Sequence, residues 1–449
     1  MNRWRKLLIW SFQATPILAC AGTLAAQANP KAATKAGGTQ GPTFEVDMLW
    51  PKPMANRWIL GSVTGLAVDS RDHIFVLNIP DYFTARTEIG SSTNPPTGEC
   101  CSAAPAVLEY DASGAVVGHW GGPGQGYDWP TTPSGLAIDP NGDIWIGGSG
   151  GNDTRILKFS RDGKFISQIG KPASFEFAVT KPTGAAPDTA YGGVSRGGAG
   201  RGAAGAGRGG RGRGGRGASV PAIPPNNASM ESFGGAMSIS FDSGSNQAFV
   251  ADGSRNRRVA VVDIATGAIK SVFGAYGNKP EDAAQPAYSP AAQPSQQFGT
   301  VSCAQMSKDG LLYVCDRSND RIQVFRTNGA FVKEKVLAPA TLGAGSVWDV
   351  AFSRDARQRY LYVADGMNQK IWVLDRVTLE PIASFGDGGR QPGEFYAPHS
   401  VATDSKGNLY TGETFEGKRV QRFNYKGMGT VKMNAGVLWP RSASAGAKP

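Results

Sequence analysis

The chain repeats itself. Residues 64–78 (TGLAVDSRDHIFVLN), 134–148 (SGLAIDPNGDIWIGG), 237–252 (MSISFDSGSNQAFVAD), 302–316 (SCAQMSKDGLLYVCD), 348–365 (WDVAFSRDARQRYLYVAD) and 399–413 (HSVATDSKGNLYTGE) share one pattern. A short apolar run meets a turn rich in Asp and Gly, and a second apolar run ends in a small residue or an acid. A polar loop and a third run follow, such as RIQVF at 321–325 or KIWVLD at 370–375. A unit of this size cannot bury an apolar face alone, so six copies have to stack on one another. That argues against the two or three separate globular domains that 449 residues would otherwise suggest.

Alternating apolar positions, β-branched and aromatic residues and D-x-x-G turns predict hairpins, not helices. Most units carry a fourth run, for example FISQIG at 165–170 or AIKSVFG at 268–274. Four antiparallel strands repeated six times predict an all-β fold, a six-bladed β-propeller. The last unit has three clear strands, and FEVDMLW at 44–50 is a strand without a partner at the other end of the chain. Pairing the two closes the ring and leaves no open edge. The propeller is thus expected over 43–425, after a leader at 1–28 and a linker at 29–42, and before a tail at 426–449.

The leader has a basic start (Arg3, Arg5, Lys6), an apolar run from Leu7, and the ending Ala26-Gln27-Ala28, the arrangement of a secretory signal. Export to the periplasm or the extracellular space is the expectation, with no transmembrane segment after the signal. The alternative reads residues 17–20 as a lipobox with Cys20 as the lipid-anchored residue. Net charge is +10 from 46 basic and 36 acidic residues. Three basic residues lie in the leader and six (Arg196, Arg201, Arg208, Arg211, Arg213, Arg216) in a Gly-rich tract without acids, which leaves 37 against 36 elsewhere. The folded part is near neutral, which argues against a nucleic-acid-gripping fold. The tract itself, residues 194–219, reads first as a solvated, functionally light expansion and second as a cationic brush for weak attachment to anionic polymers.

Export makes disulfides the default for the four cysteines beyond the leader. In the SKDG hairpin, pairing Ser307 with Leu311 sets Cys303 opposite Cys315, within bridging reach. Cys100 and Cys101 are adjacent, and either a strained ring or two loop thiols is open at this stage.

The six repeats, with the phrases ADGSRNRRV at 251–259 and CDRSNDRIQVF at 315–325, resemble the NHL-repeat family of six-bladed propellers, and within it the lyase domain of peptidylglycine α-amidating enzymes. The resemblance implies a zinc ion held by three histidines, each opening an innermost strand on alternate blades, with one coordination position open for substrate. In this chain the corresponding residues are Thr64, Ser134, Met237, Ser302, Trp348 and His399, so one histidine remains, and serine is a poor zinc ligand. The family's tyrosine falls on Ser254 and its arginine on Asn78 or Ile79. The other two histidines, His73 in a hairpin and His119 in an outer strand, lie away from the channel. No all-histidine metal site is expected. A carboxylate site of His399, Asp349 and Glu413 is an alternative to the reading of both acids as caps of turns and backbone amides. A Ser-His pair of Ser134 or Ser302 with His399 lacks the strained turn and oxyanion donors of acyl transfer. There is no phosphate loop and no H-E-x-x-H.

Three long excursions, 79–104, 171–233 (Gly/Arg-rich and expected to be disordered) and 275–298, map to one face of such a ring, and long loops on a rigid scaffold are where function sits. The expectation is therefore a monomeric binding or scaffolding protein without a cofactor. Its ligand would be a peptide, glycan or small molecule held at the channel mouth by Trp348, His399, Asp349, Arg317, Ser134, Ser302 and Glu413. The alternative is a metal-dependent lyase or hydrolase using a site other than three histidines. A structural calcium has no support in the sequence.

Overall fold

The computed structural model describes residues 38–80, 82–83, 88–91, 97–172 and 223–440. The leader, Cys20 and the tract 194–219 lie outside the described residues. Within them the chain forms six four-stranded antiparallel sheets around a central channel. Blade 1 runs Ser62–Val68, Ile74–Ile79, Val107–Tyr110 and Val116–Trp120 from the channel outward. The innermost strands of blades 2 to 5 are Pro133–Ile138, Ala236–Asp242, Val301–Met306 and Asp349–Phe352. Blade 6 is composite: Pro398–Thr403, Leu409–Glu413 and Arg419–Thr430 are completed on the outside by the N-terminal strand Gln40–Val46. No helix among the described residues is long and apolar enough to cross a membrane.

The local reasons are visible in the hairpins. In blade 2 the turn acid Asp139 accepts the amides of Asn141 and Asp143, and its second oxygen takes the indole N–H of Trp145 on the returning strand. Asp404 in blade 6 repeats the device with Lys406, Asn408 and the Tyr410 hydroxyl. An Asx turn thus fixes both the loop and an aromatic of the next strand. Alternation then sorts side chains between neighbouring blades. Along Ile74–Ile79, Ile74 and Val76 pack toward Tyr410 and Val420 of blade 6, while Phe75 and Leu77 pack toward Ile144, Ile146 and Phe159 of blade 2. The second strand is buried on both sides, which is why it reads as a continuous apolar run.

Several boundaries differ from the sequence reading. The closing strand begins at Gln40 and ends at Val46, because Asp47 turns away to bind Arg422. The last strand runs to Thr430, and residues 431–440 form no loose tail: Ala435 donates to the Ser384 carbonyl and Gly386 to that of Gly436, covering the outer edge of blade 5. Of the excursion 171–233, residues 171–172 and 223–233 are described, and Arg258 holds the carbonyls of Asn227, Ser229 and Ser232; the expectation of disorder falls on residues outside the described ones. Cys303 and Cys315 are cross-strand partners and bridged, as the hairpin register requires. Cys100 and Cys101 also form a disulfide.

Candidate functional site at the channel throat

Four of the six innermost strands start with an irregularity. The pairing register slips at Thr64, Met237, Ser302 and His399, where one extra residue is inserted opposite the second strand. Such a bulge re-aims a side chain out of the ladder, and here it points the residue toward the axis. Thr64, Met237, Ser302, Trp348, Asp349 and His399 consequently line one chamber of about 30 Å³. That is room for one or two water molecules. Ser134 is buried beside it.

The hydroxyls in this ring are spent on neighbouring blades. Thr64 Oγ1 donates to the Pro133 carbonyl at 2.7 Å, Ser134 Oγ to Met237 at 3.2 Å, and Ser302 Oγ to Val347 at 3.2 Å. Each contact reaches the opening of the next innermost strand, so these hydroxyls hold neighbouring blades together. Trp348 fills the remaining space. Its ring meets His399 edge-on at 5.7 Å, the Arg317 guanidinium lies 4.6 Å over it, and its indole N–H donates to the Gly345 carbonyl. A Cβ on Gly366 would stand 2.5 Å from that ring, so only glycine lets it lie there. Trp348, Arg317 and His399 are 2%, 5% and 7% exposed, so the three residues expected to hold a ligand are turned in on one another.

Burial, helped by the charge of Arg317, pushes the His399 pKa down to about 3. The imidazole is therefore neutral at ordinary pH. Above its unfolded pKa of 6.5 both states are neutral; as pH falls below that value the unfolded chain takes a proton that the folded chain refuses, so stability is lost from pH 6.5 down to about 3. His399→Gln removes this contribution, and its denaturation midpoint falls less between pH 7 and pH 4 than that of the wild type. Asp349 works in the opposite direction. Burial pushes it up to about 7 against the amides of Val401 and Val350 and the Gln305 side chain, so its contribution is lost as pH rises from about 4 to 7.

Glu413 does not reach the chamber. It accepts from the Tyr396 amide, Arg419 and Gln421 within its own blade. The His399–Asp349–Glu413 alternative is thereby corrected: among the described residues no cluster of three His, Cys, Asp or Glu side chains is placed to hold a metal. His73 pairs with Glu109, and His119 stacks edge-on with Trp58, both away from the channel. Ser254 donates to the Ser149 carbonyl, and Asn78 accepts from Gly61 and donates to Pro105. GGSGG at 147–151 has the spacing of a nucleophile elbow, but no helix follows it, so it lacks the strand-turn-helix context of that motif.

The phrases that carried the lyase resemblance have a structural task. In blade 3 the Asp252 carboxylate accepts from the Gly234 amide, Asn256 and Arg258; in blade 4 Asp316 accepts from Gly299, Asn319 and Arg321. Arg258 and Arg321 then reach carbonyls of the loop leading into the blade, at Ser232 and at Ser295. Glu413 with Arg419 repeats the clamp in blade 6, where Arg419 holds the Glu394 carbonyl. The signal was present in the sequence as an acid followed five or six residues later by arginine.

No protein-family model matches this sequence, and no curated protein matches it. Among solved structures the chain is similar to virginiamycin B lyase from Staphylococcus aureus, at 11% identity over 85% of this chain and 99% of the other, with a TM-score of 0.43. It is also similar to the β-propeller domain of Cps50 (Swd1) from Myceliophteria thermophila, at 11% identity over 83% and 99% of the two chains, with a TM-score of 0.43. A protein of unknown function from Bacteroides thetaiotaomicron shares 11% identity over 86% of this chain and 77% of its own, with a TM-score of 0.45. At such identities the likeness concerns the course of the backbone and says nothing of chemistry.

Proposed function

We propose that this protein is an exported propeller of the NHL type that binds a ligand without transforming it, its lyase-like metal centre having been dismantled. One observation carries the reading: at the two other positions where the resembled enzymes present imidazoles, Ser134 and Ser302 give their hydroxyls to carbonyls of the adjacent blade, as Thr64 does in blade 1. A hydroxyl engaged in this way closes the throat, and His399 alone is one ligand where a catalytic zinc takes three. Export is supported by the two disulfides, which persist in oxidising compartments.

The test is to rebuild the centre. Ser134→His/Ser302→His, with His399 retained, is expected to take up zinc at about one ion per chain, and a further His399→Ala is expected to abolish that uptake. Rebuilding that changes nothing because the wild type already carries its own ion would overturn the proposal.

A further inference from the structure

Below the throat the channel widens among the hairpin turns, to about 320 Å³. A separate space on that side, the cleft between blades 5 and 6, holds about 480 Å³ and carries donors without partners. Two blades build it. Along the second strand of blade 5, Tyr360–Asp365, alternation sends Leu361 and Val363 into the packing against blade 4, and Tyr360 and Tyr362 toward blade 6. Blade 6 supplies Tyr425 and Met428 from its long third strand, where pairing with the N-terminal strand slips between Pro42 and Phe44. Arg359 and Lys406, from the hairpin turns of the two blades, complete the rim.

Tyr360 is 4% exposed, yet its hydroxyl has no hydrogen-bond partner. A buried hydroxyl left in that state is costly. The hydroxyls of Tyr362 and Tyr425 also make no hydrogen bond among the described residues. Burial raises the pKa of Tyr360 and Tyr362, and the neighbouring phenols add to the effect, so both hydroxyls remain protonated donors. The cations at the rim are loosely held. Arg359 lies 5.4 Å over the Tyr360 ring with the Asp375 carboxylate 4.0 Å away, and Lys406 is exposed and forms no ion pair among the described residues. Asp355, the acid in this wall, is spent on Ser353 and on the amides of Arg357 and Arg359. Arg354 is engaged with the Thr403 carbonyl and with the charges of Asp404 and Asp72, and takes no part.

We propose that this cleft binds a hexuronic acid unit of a glycan, with its carboxylate on Arg359 and Lys406, its hydroxyls on the three phenols, and the C–H face of its ring against the tyrosine rings. The wall offers donors, so the ligand has to bring acceptors. An aliphatic ligand brings none and leaves the Tyr360 hydroxyl unsatisfied. An inorganic anion fills a fraction of the volume and leaves the aromatic wall uncovered, and a neutral sugar leaves both cations unused. A sugar acid meets all three demands: its hydroxyls exchange hydrogen bonds with phenols, and its planar carboxylate suits a guanidinium. The inference rests on the reading of the protein as a binder, and it places the ligand outside the channel, on residues that the throat does not use.

The experiment uses the full chain with tetramers of galacturonate, mannuronate and guluronate, each also as its carboxyl-reduced neutral counterpart, followed by saturation-transfer NMR and titration of the best binder. A uronate is expected to bind, and its neutral counterpart about tenfold more weakly. Tyr360→Phe deletes the hydroxyl alone; it is expected to weaken uronate binding about tenfold while the denaturation midpoint of the free protein stays level or rises, because the deleted group has no hydrogen bond to lose. A merely structural tyrosine would lower the midpoint instead. Arg359→Gln/Lys406→Gln is expected to bring the uronate down to the affinity of the neutral sugar, and His399→Ala to alter neither. Absence of binding by all three uronates, equal affinity of uronate and neutral counterpart, a lowered midpoint for Tyr360→Phe, or displacement by a peptide or a mononucleotide at lower concentration would overturn the inference. Uronate binding that ignores Tyr360→Phe belongs to the Arg-Gly tract and overturns it equally. Metal content measured on the same samples reports on the throat separately. A tightly held ion alongside Tyr360-dependent uronate binding overturns the throat reading only, and no ion with no uronate binding overturns the cleft only.

Discussion

Arg321→Met is expected to destabilise the protein by about 3–5 kcal/mol, the cost of leaving a buried charge without its partner. The Arg321 side chain is 1% exposed and that of Asp316 fully buried, their Nε–Oδ2 distance is 2.8 Å, and no solvent can replace the guanidinium. The same guanidinium also holds carbonyls of Ser295 and Gln297, so the loop leading into blade 4 loses its anchor. Chemical denaturation of the variant checks this. Adding Asp316→Asn should recover part of the loss, because an amide oxygen still accepts from Gly299 without carrying a charge. A midpoint within experimental error of wild type for the single variant would mean that the clamp is ornamental, and the account of the shared acid-arginine phrases would fail with it.

Trp348→Ala is the second large effect. Removing a buried tryptophan side chain costs about 3–5 kcal/mol when the surroundings cannot collapse, and here they are rigid: Gly366 lies against the ring, Arg317 stacks on it, and Phe415 and His399 meet it edge-on. The informative readout lies beyond stability. Because burial is the main cause of the low His399 pKa, opening the throat to water should raise that pKa toward the ordinary 6.5, by one unit or more on an NMR titration. A His399 that titrates near 6.5 in the wild type would contradict the closed throat.

The parts of this molecule that could be read from its sequence are those set by short-range repetition. Six hairpins, five with an Asx turn and one with Ser307 in its place, the strand that closes blade 6, and the Cys303–Cys315 bridge follow from alternation and from register within one hairpin. The residues opening each innermost strand could also be aligned by eye, which brought Thr64, Ser302, Trp348 and His399 to one place. What could not be read was how those residues are used. A serine at 134 or 302 gives no sign that its hydroxyl will be claimed by a carbonyl three intervening strands away, at the opening of the next blade. Glu413 looks like a candidate ligand until its own Arg419 is seen beside it. Trp348 and Arg317 have the composition of a binding surface and the packing of a plug. The widening of the channel toward the hairpin turns depends on side-chain size summed over six blades, and no single segment records that sum.

The central claim is that the throat no longer holds a catalytic ion, and metal analysis of the purified full chain tests it most directly. The account predicts well under one transition-metal ion per chain after extensive dialysis, and no difference between wild type and His399→Ala. About one tightly held ion per chain in the wild type, released by His399→Ala, would contradict it.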